Sequence, residues 1–166
     1  MTSLRTLLCI SFALLLTACG FHPLYETHDG RRTVEPQLAS VNVMSIADVP
    51  GQEMRNQILD MMPPTAPNPR YQLRINLNES SLGISIARDA TVTRQQLRNN
   101  LHVELFDSKM QKIVWKSDMA ATSGYNVLAS ELSNLIGEED ARKRNVDDLA
   151  QRVVEQLALY FERNPS

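Results

Sequence analysis

The chain has 166 residues with 17 Lys+Arg against 19 Asp+Glu, a net charge of -2. That length points to one domain of ordinary size, and the mild acidity excludes a generally basic, nucleic-acid-coating protein. A hydrophobic content of 43% excludes global disorder, while 5% aromatics with a single Trp argues against an aromatic-lined ligand groove.

The only cysteines, Cys9 and Cys19, both fall in the first nineteen residues. Arg5 is the only charged residue before Glu26, and Leu7 to Leu16 is an almost unbroken apolar run. A basic start and a short apolar core form an export signal, and the run is too short for a permanent span. It ends at Leu16-Thr17-Ala18-Cys19, which resembles a bacterial lipobox. There the Cys thiolate takes a diacylglycerol as a thioether, and the small residues before it admit a signal peptidase. The freed amine is then acylated, and several chains on one residue anchor stably where one would not. A plain signal peptide with a chance Cys, or a buried helix, is the blander alternative.

On the lipobox reading, residues 1–18 are a lipoprotein signal peptide and 19–37 a lipidated tether. Residues 38–166 are then a single α/β domain. No free thiol would remain for a disulfide, a metal site or a nucleophile. Gly20 replaces the Asp that favours inner-membrane retention in enteric lipoproteins, which leans towards the outer membrane.

Asp29-Gly30 marks a turn in the tether. Leu38 to Ile46 reads as a strand, with Val41 and Val43 on one face and Ser45 a candidate continuation. A helix begins near Pro50, with Met54, Ile58, Met61 and Met62 on one side, and Pro63-Pro64 stops it. Four prolines between Pro63 and Pro69 make a stiff loop. Tyr71, Leu73, Ile75 and Leu77 alternate with polar residues as a half-buried strand. Ser80 to Gly83 marks a bulge or bend, after which Ile84 and Ile86 continue the strand. Arg88-Asp89-Ala90 is a turn, 91–106 a long strand, Asp107-Ser108-Lys109 a hairpin loop, and Ile113 to about Gly124 another strand.

Val127 to Ile136 is open between a short helix and a packed loop. After Gly137 the apolar stripe Val146, Leu149, Ala150, Val153, Val154, Leu157, Tyr160 and Phe161 predicts a helix ending at Asn164-Pro165. Acidic residues 138–140 suit its first turn, and Glu139–Lys143 and Asp148–Arg152 are i,i+4 pairs. The order β-α-β-β-β-α predicts an α+β, two-layer sandwich: a four-stranded, mostly antiparallel sheet with two helices on one face.

No catalytic constellation is legible, so an enzyme is not expected, nor a cofactor. His22, His28 and His102 read as solvated histidines without the clustered partners of a zinc site. The scattered glycines form no phosphate-cradling loop, and Asp147-Asp148 point about 100° apart on a helix. The polar sheet face holds more interest. Arg94 and Arg98 share strand parity, Gln96, Asn100 and His102 continue their row, and Arg88 lies in the adjoining turn. The three arginines are candidate donors for an anionic partner, because a guanidinium gives two parallel hydrogen bonds to phosphate. An ordinary solvated face is the alternative.

Thr17-Ala18-Cys19-Gly20-Phe21-His22-Pro23-Leu24-Tyr25 resembles the opening of the lipopolysaccharide-assembly lipoproteins, the LptE family, in its alphaproteobacterial type. The element order and the tail from Glu138 to Phe161 fit the same family. The resemblance implies a lipoprotein on the periplasmic side of the outer membrane. It would plug and help assemble the LptD β-barrel, bind lipopolysaccharide and assist its placement in the outer leaflet. A generic lipid-anchored scaffold or binding module for another envelope complex is the competing reading.

Overall fold

Three long strands dominate the computed structural model, which describes residues 34–86 and 92–164. They are β2 (Tyr71–Ile86), β3 (Val92–Asp107) and β4 (Lys112–Asn126), paired antiparallel in sequence order. A short β1 (Val41–Val43) adds to β2 in parallel, with Val41 facing Tyr71 and Val43 facing Leu73. The result is a mixed four-stranded sheet in the order β1-β2-β3-β4. Three helices accompany it: α1 (Glu35–Ala39), α2 (Asp48–Met61) and α3 (Glu131–Arg163). The predicted α+β class and the order β-α-β-β-β-α are both present, with α1 as an addition.

Period-two patterning decides the faces. Odd-numbered residues of β2 and β3 turn towards the helices, and Leu73, Leu97, Leu101, Val103 and Leu105 are all buried. Leu73, Leu101, Val103 and Leu105 meet Val146, Leu149, Val153, Leu157 and Phe161 from α3, together with Met54 and Ile58 from α2. The stripe predicted on α3 is thus the core's second layer.

Several boundaries differ from the expectation. Leu38 is buried from helix α1, not from a strand, and β1 ends at Val43. Ser45 lies beyond that strand and is exposed. Within the helical stripe, Met54, Ile58 and Met62 are buried, but Met61 turns outwards. A pairing irregularity falls at Gly83–Ser85, where the Ser80 to Gly83 segment predicted a bulge. The turn at Arg88-Asp89-Ala90, the signal peptide and residues 19–33 of the tether lie outside the described residues.

The largest difference is α3. It begins at Glu131, so 131–136 is helix and Val127 to Ser130 is the loop. Ser130 caps it, its Oγ accepting from Ser133 N at 3.4 Å, and Asn134 clamps Leu128 through both N and O at 2.7 and 2.9 Å. Gly137 lies within the helix against the Tyr125 ring. Of the two expected ion pairs, Asp148–Arg152 forms at 2.6 Å, whereas Glu139 pairs with Arg142 in place of Lys143.

Candidate functional site

The even-numbered side of β2, β3 and β4 faces away from the helices. Its residues are mainly amides, hydroxyls and charges: Gln72, Arg74, Asn76, Asn78 and Ser80 on β2, and Arg94, Gln96, Arg98, Asn100, His102 and Glu104 on β3. The register sets Lys116, Asp118, Ala120 and Thr122 of β4 opposite the last of these. Near the short turn Arg74 lies over the Phe106 ring, 4.3 Å from its centroid, and shields that aromatic from water.

The two described arginines of the predicted row do lie on this face. Arg94 rests over Gly124, where a Cβ would come within 3.1 Å of its Nη2, so glycine there makes room for the guanidinium. Arg98 donates from Nε to Asn100 Oδ1 at 3.0 Å. Four residues along a strand separate their Cα atoms by about 13 Å. With Arg94 resting at Gly124 and Arg98 held by Asn100, the two guanidiniums sit at separate points along the face, each able to meet its own anionic group. Arg88 and the lipidation residue Cys19 lie outside the described residues.

His102 is exposed, as expected of a solvated imidazole, but it also has two carboxylate neighbours that the sequence did not announce. Its Nδ1 is 2.6 Å from Asp118 Oδ1 and its Nε2 is 3.4 Å from Glu104 Oε1. The hydrogen bond to Asp118, then that to Glu104, raises its pKa above the ordinary imidazole value. The short turn after Asp107 alone would set His102 across from Ser117, and the one-residue slip at Val114 is what brings Asp118 opposite it, so the turn residues did not announce the pair. Beside this pair is a shallow depression of about 410 Å³ lined by Asn78, Arg98, Asn100, His102, Asp118 and Ala120. Asp118 in its lining and Glu104 beside His102 make that end of the row charge-balanced, while the positive end is at Arg94. Among the described residues no group of three or more His, Cys, Asp or Glu is arranged to hold a metal ion.

Sequence reasoning missed a polar clasp beneath the sheet. Arg142 of α3 bonds Glu79 of β2 at 2.8 Å, Glu138 at 2.6 Å and Glu139 at 2.6 Å. Asn99 donates to Glu79 at 3.0 Å, and the buried Asn145 donates to Asn99 and to the Leu97 carbonyl. Burial pushes Glu79 up, but its bonds to Arg142 and Asn99 outweigh this and hold it below the usual carboxylate range. Beyond the clasp, the first turns of α3 leave Leu132, Leu135 and Ile136 exposed, as Leu82 is on β2. Glu79 and Arg142 are 63 residues apart, so no local motif announces them.

No family model matches the chain. An uncharacterized protein of Rickettsia prowazekii (strain Madrid E) is 21% identical over 157 residues, covering 95% of this chain and 98% of that one. Among solved structures, a candidate lipoprotein from Caulobacter crescentus CB15 superimposes with a TM-score of 0.60 at 21% identity, covering 79% of this chain and 97% of its own. The uncharacterized lipoprotein B of Nitrosomonas europaea gives 0.58 at 16% identity, covering 75% and 86%. At such identities the likeness establishes the fold. No helix of the described residues is long and apolar enough to cross a membrane.

Proposed function

We propose that this chain is an outer-membrane lipoprotein, anchored through acylated Cys19 on the periplasmic side. In this reading it plugs and helps assemble an LptD-like β-barrel, binds lipopolysaccharide and assists its placement in the outer leaflet. The role is one of binding and assembly, with no chemistry of its own and no cofactor. The observation that carries the reading is a conjunction. A lipobox-like Leu16-Thr17-Ala18-Cys19 precedes a domain whose fold is shared with bacterial proteins named as lipoproteins.

The surface is compatible with a plug. Wide barrels have polar interiors, and the open sheet face carries amides and charges that a wet lumen can solvate or bond. The exposed Leu132, Leu135 and Ile136 at the start of α3 add an apolar edge for barrel contacts. The spacing of Arg94 and Arg98 suits a ligand with more than one anionic group.

The lipopolysaccharide arm is tested by replacing Arg88, Arg94 and Arg98 with Ala together and measuring binding of purified lipopolysaccharide. Arg94 and Arg98 are exposed, so their loss should leave the fold intact. Charge-assisted contacts at exposed sites contribute on the order of 1 kcal/mol each. The triple variant should bind at least about tenfold more weakly, with a shallower salt dependence. Equal affinity in parent and variant would remove the arginine row from the account.

A further inference from the structure

β4 is an edge strand of the sheet. Its hydrogen-bond phase follows from one bond: Val127 N donates to Thr93 O at 3.0 Å, continuing the register in which Arg94 faces Asn126. Bonded pairs alternate along an antiparallel ladder. Odd-numbered residues of β4 therefore bond inwards to β3. The N–H and C=O groups of Lys116, Asp118, Ala120 and Thr122 point outwards, and among the described residues no strand pairs with them.

Two devices bound this open edge. At one end the register slips between Leu105–Trp115 and Phe106–Ile113, which leaves Val114 as an extra, bulged residue. At the other end Arg152, held by Asp148, donates from Nη1 to the outward carbonyl of Ala120 at 3.3 Å. Between them is a short stretch, Trp115 to Met119, centred on Ser117. An edge closed at both ends but open in the middle fits a short strand partner.

We propose that this stretch pairs antiparallel with the same stretch of a second copy of the chain, about a two-fold axis at Ser117. The phase allows it, because the axis sets outward-facing even residues opposite even residues. The charges select it. With the axis at Ser117, Lys116 of each copy lies opposite Asp118 of the other, on the same sheet face. Moving the axis one residue either way sets Lys116 against Lys116 or Asp118 against Asp118, and like charges directly opposite are destabilising. Asp118 uses Oδ1 for His102, which leaves Oδ2 for a lysine. On the helix side the axis brings the half-buried Trp115 against the half-buried Met119 of the second copy, a favourable sulfur–aromatic pairing. An isologous contact of this kind closes at two copies and does not propagate. Its small extent makes it a weak, concentration-dependent association. It stands independently of the barrel reading.

The test uses the purified full chain in detergent, over a range of concentrations, with sedimentation and cysteine cross-linking as readouts. Ser117→Cys, on the axis, should give a disulfide-linked dimer that the parent does not form, since the lipidated parent keeps no free thiol, whereas Thr122→Cys should not. Lys116→Asp should weaken dimerisation by about tenfold, since two attractive cross-strand pairs become repulsive. Asp118→Lys should do the same, and combining the two should restore the dimer. Both side chains are exposed, so folding should be retained, which circular dichroism checks. The proposal is overturned if Ser117→Cys cross-links no better than the parent, or if the charge-swapped double variant stays as weak as the singles.

Discussion

Phe161→Ala should destabilise the protein by about 3–5 kcal/mol, the range for truncating a fully buried aromatic. The side chain is only 1% exposed and fills the join between α3 and the sheet. Its ring centroid is 5.2 Å from that of Tyr71 at the start of β2, and 5.3 Å from that of Tyr160 in an edge-on arrangement. Truncation removes buried apolar area and leaves a cavity among side chains that other contacts also hold. Because Tyr71 is the residue facing Val41, loosening it also loosens the β1–β2 pairing. Urea unfolding should show the midpoint falling with little change in slope. A loss under 1 kcal/mol would mean that Phe161 is not packed in this way.

Asp107→Ala should cost about 2–4 kcal/mol, through a different mechanism. The side chain is 1% exposed and accepts from Arg70 Nε and Nη2 at 3.0 and 2.7 Å. Its other oxygen accepts the backbone N–H groups of Lys109 and Met110 at 2.8 and 3.0 Å. One carboxylate therefore both organises the β3–β4 turn and fixes the chain entering β2. Burial pushes the Asp107 carboxyl up, but the Arg70 bond and the two backbone N–H groups outweigh this and hold it below the ordinary value. A depressed folded pKa has a definite linkage sign. The contribution is complete above the unfolded carboxyl value of about 3.9 and is lost as pH falls through the lower folded one. Asp107→Asn keeps an acceptor for the turn but has no charge to titrate. It should cost roughly half as much as Asp107→Ala and flatten stability against pH below about pH 4. An unchanged acid limb in Asp107→Asn would contradict this assignment.

Much of the fold was legible because burial on one face leaves a period in the chain. Tyr71 to Leu77 alternates and Val146 to Phe161 repeats at helical spacing, and the structure buries most of those residues, with Ile75, Leu77 and Tyr160 packed half-buried at the margin. The failures share a cause. Leu132, Leu135 and Ile136 are helical but exposed, so they carry no stripe against this core, and the early turns of α3 had only the Ser130 cap to announce them. Leu38 is buried from a one-and-a-half-turn helix, too short for a helical period to show against the valines that follow.

The candidate site divides along the same line. Parity placed Arg94 and Arg98 on one face, because strand alternation is a local rule. It could not place Asp118 against His102, or Glu79 against Arg142. Those contacts depend on hairpin register and helix docking, which are set by distant residues. Asp107, among the most heavily bonded carboxylates in the chain, reads in sequence only as the first residue of a turn.

If the chain works inside an outer-membrane barrel, as proposed, the barrel should accompany it through detergent extraction. Tagged full chain, expressed in its own cells and purified from the outer membrane in mild detergent, should bring with it one large β-barrel protein in equal amount. Depleting the chain should then reduce lipopolysaccharide at the cell surface. Recovery of the chain without a barrel, together with normal surface lipopolysaccharide after depletion, would contradict the account.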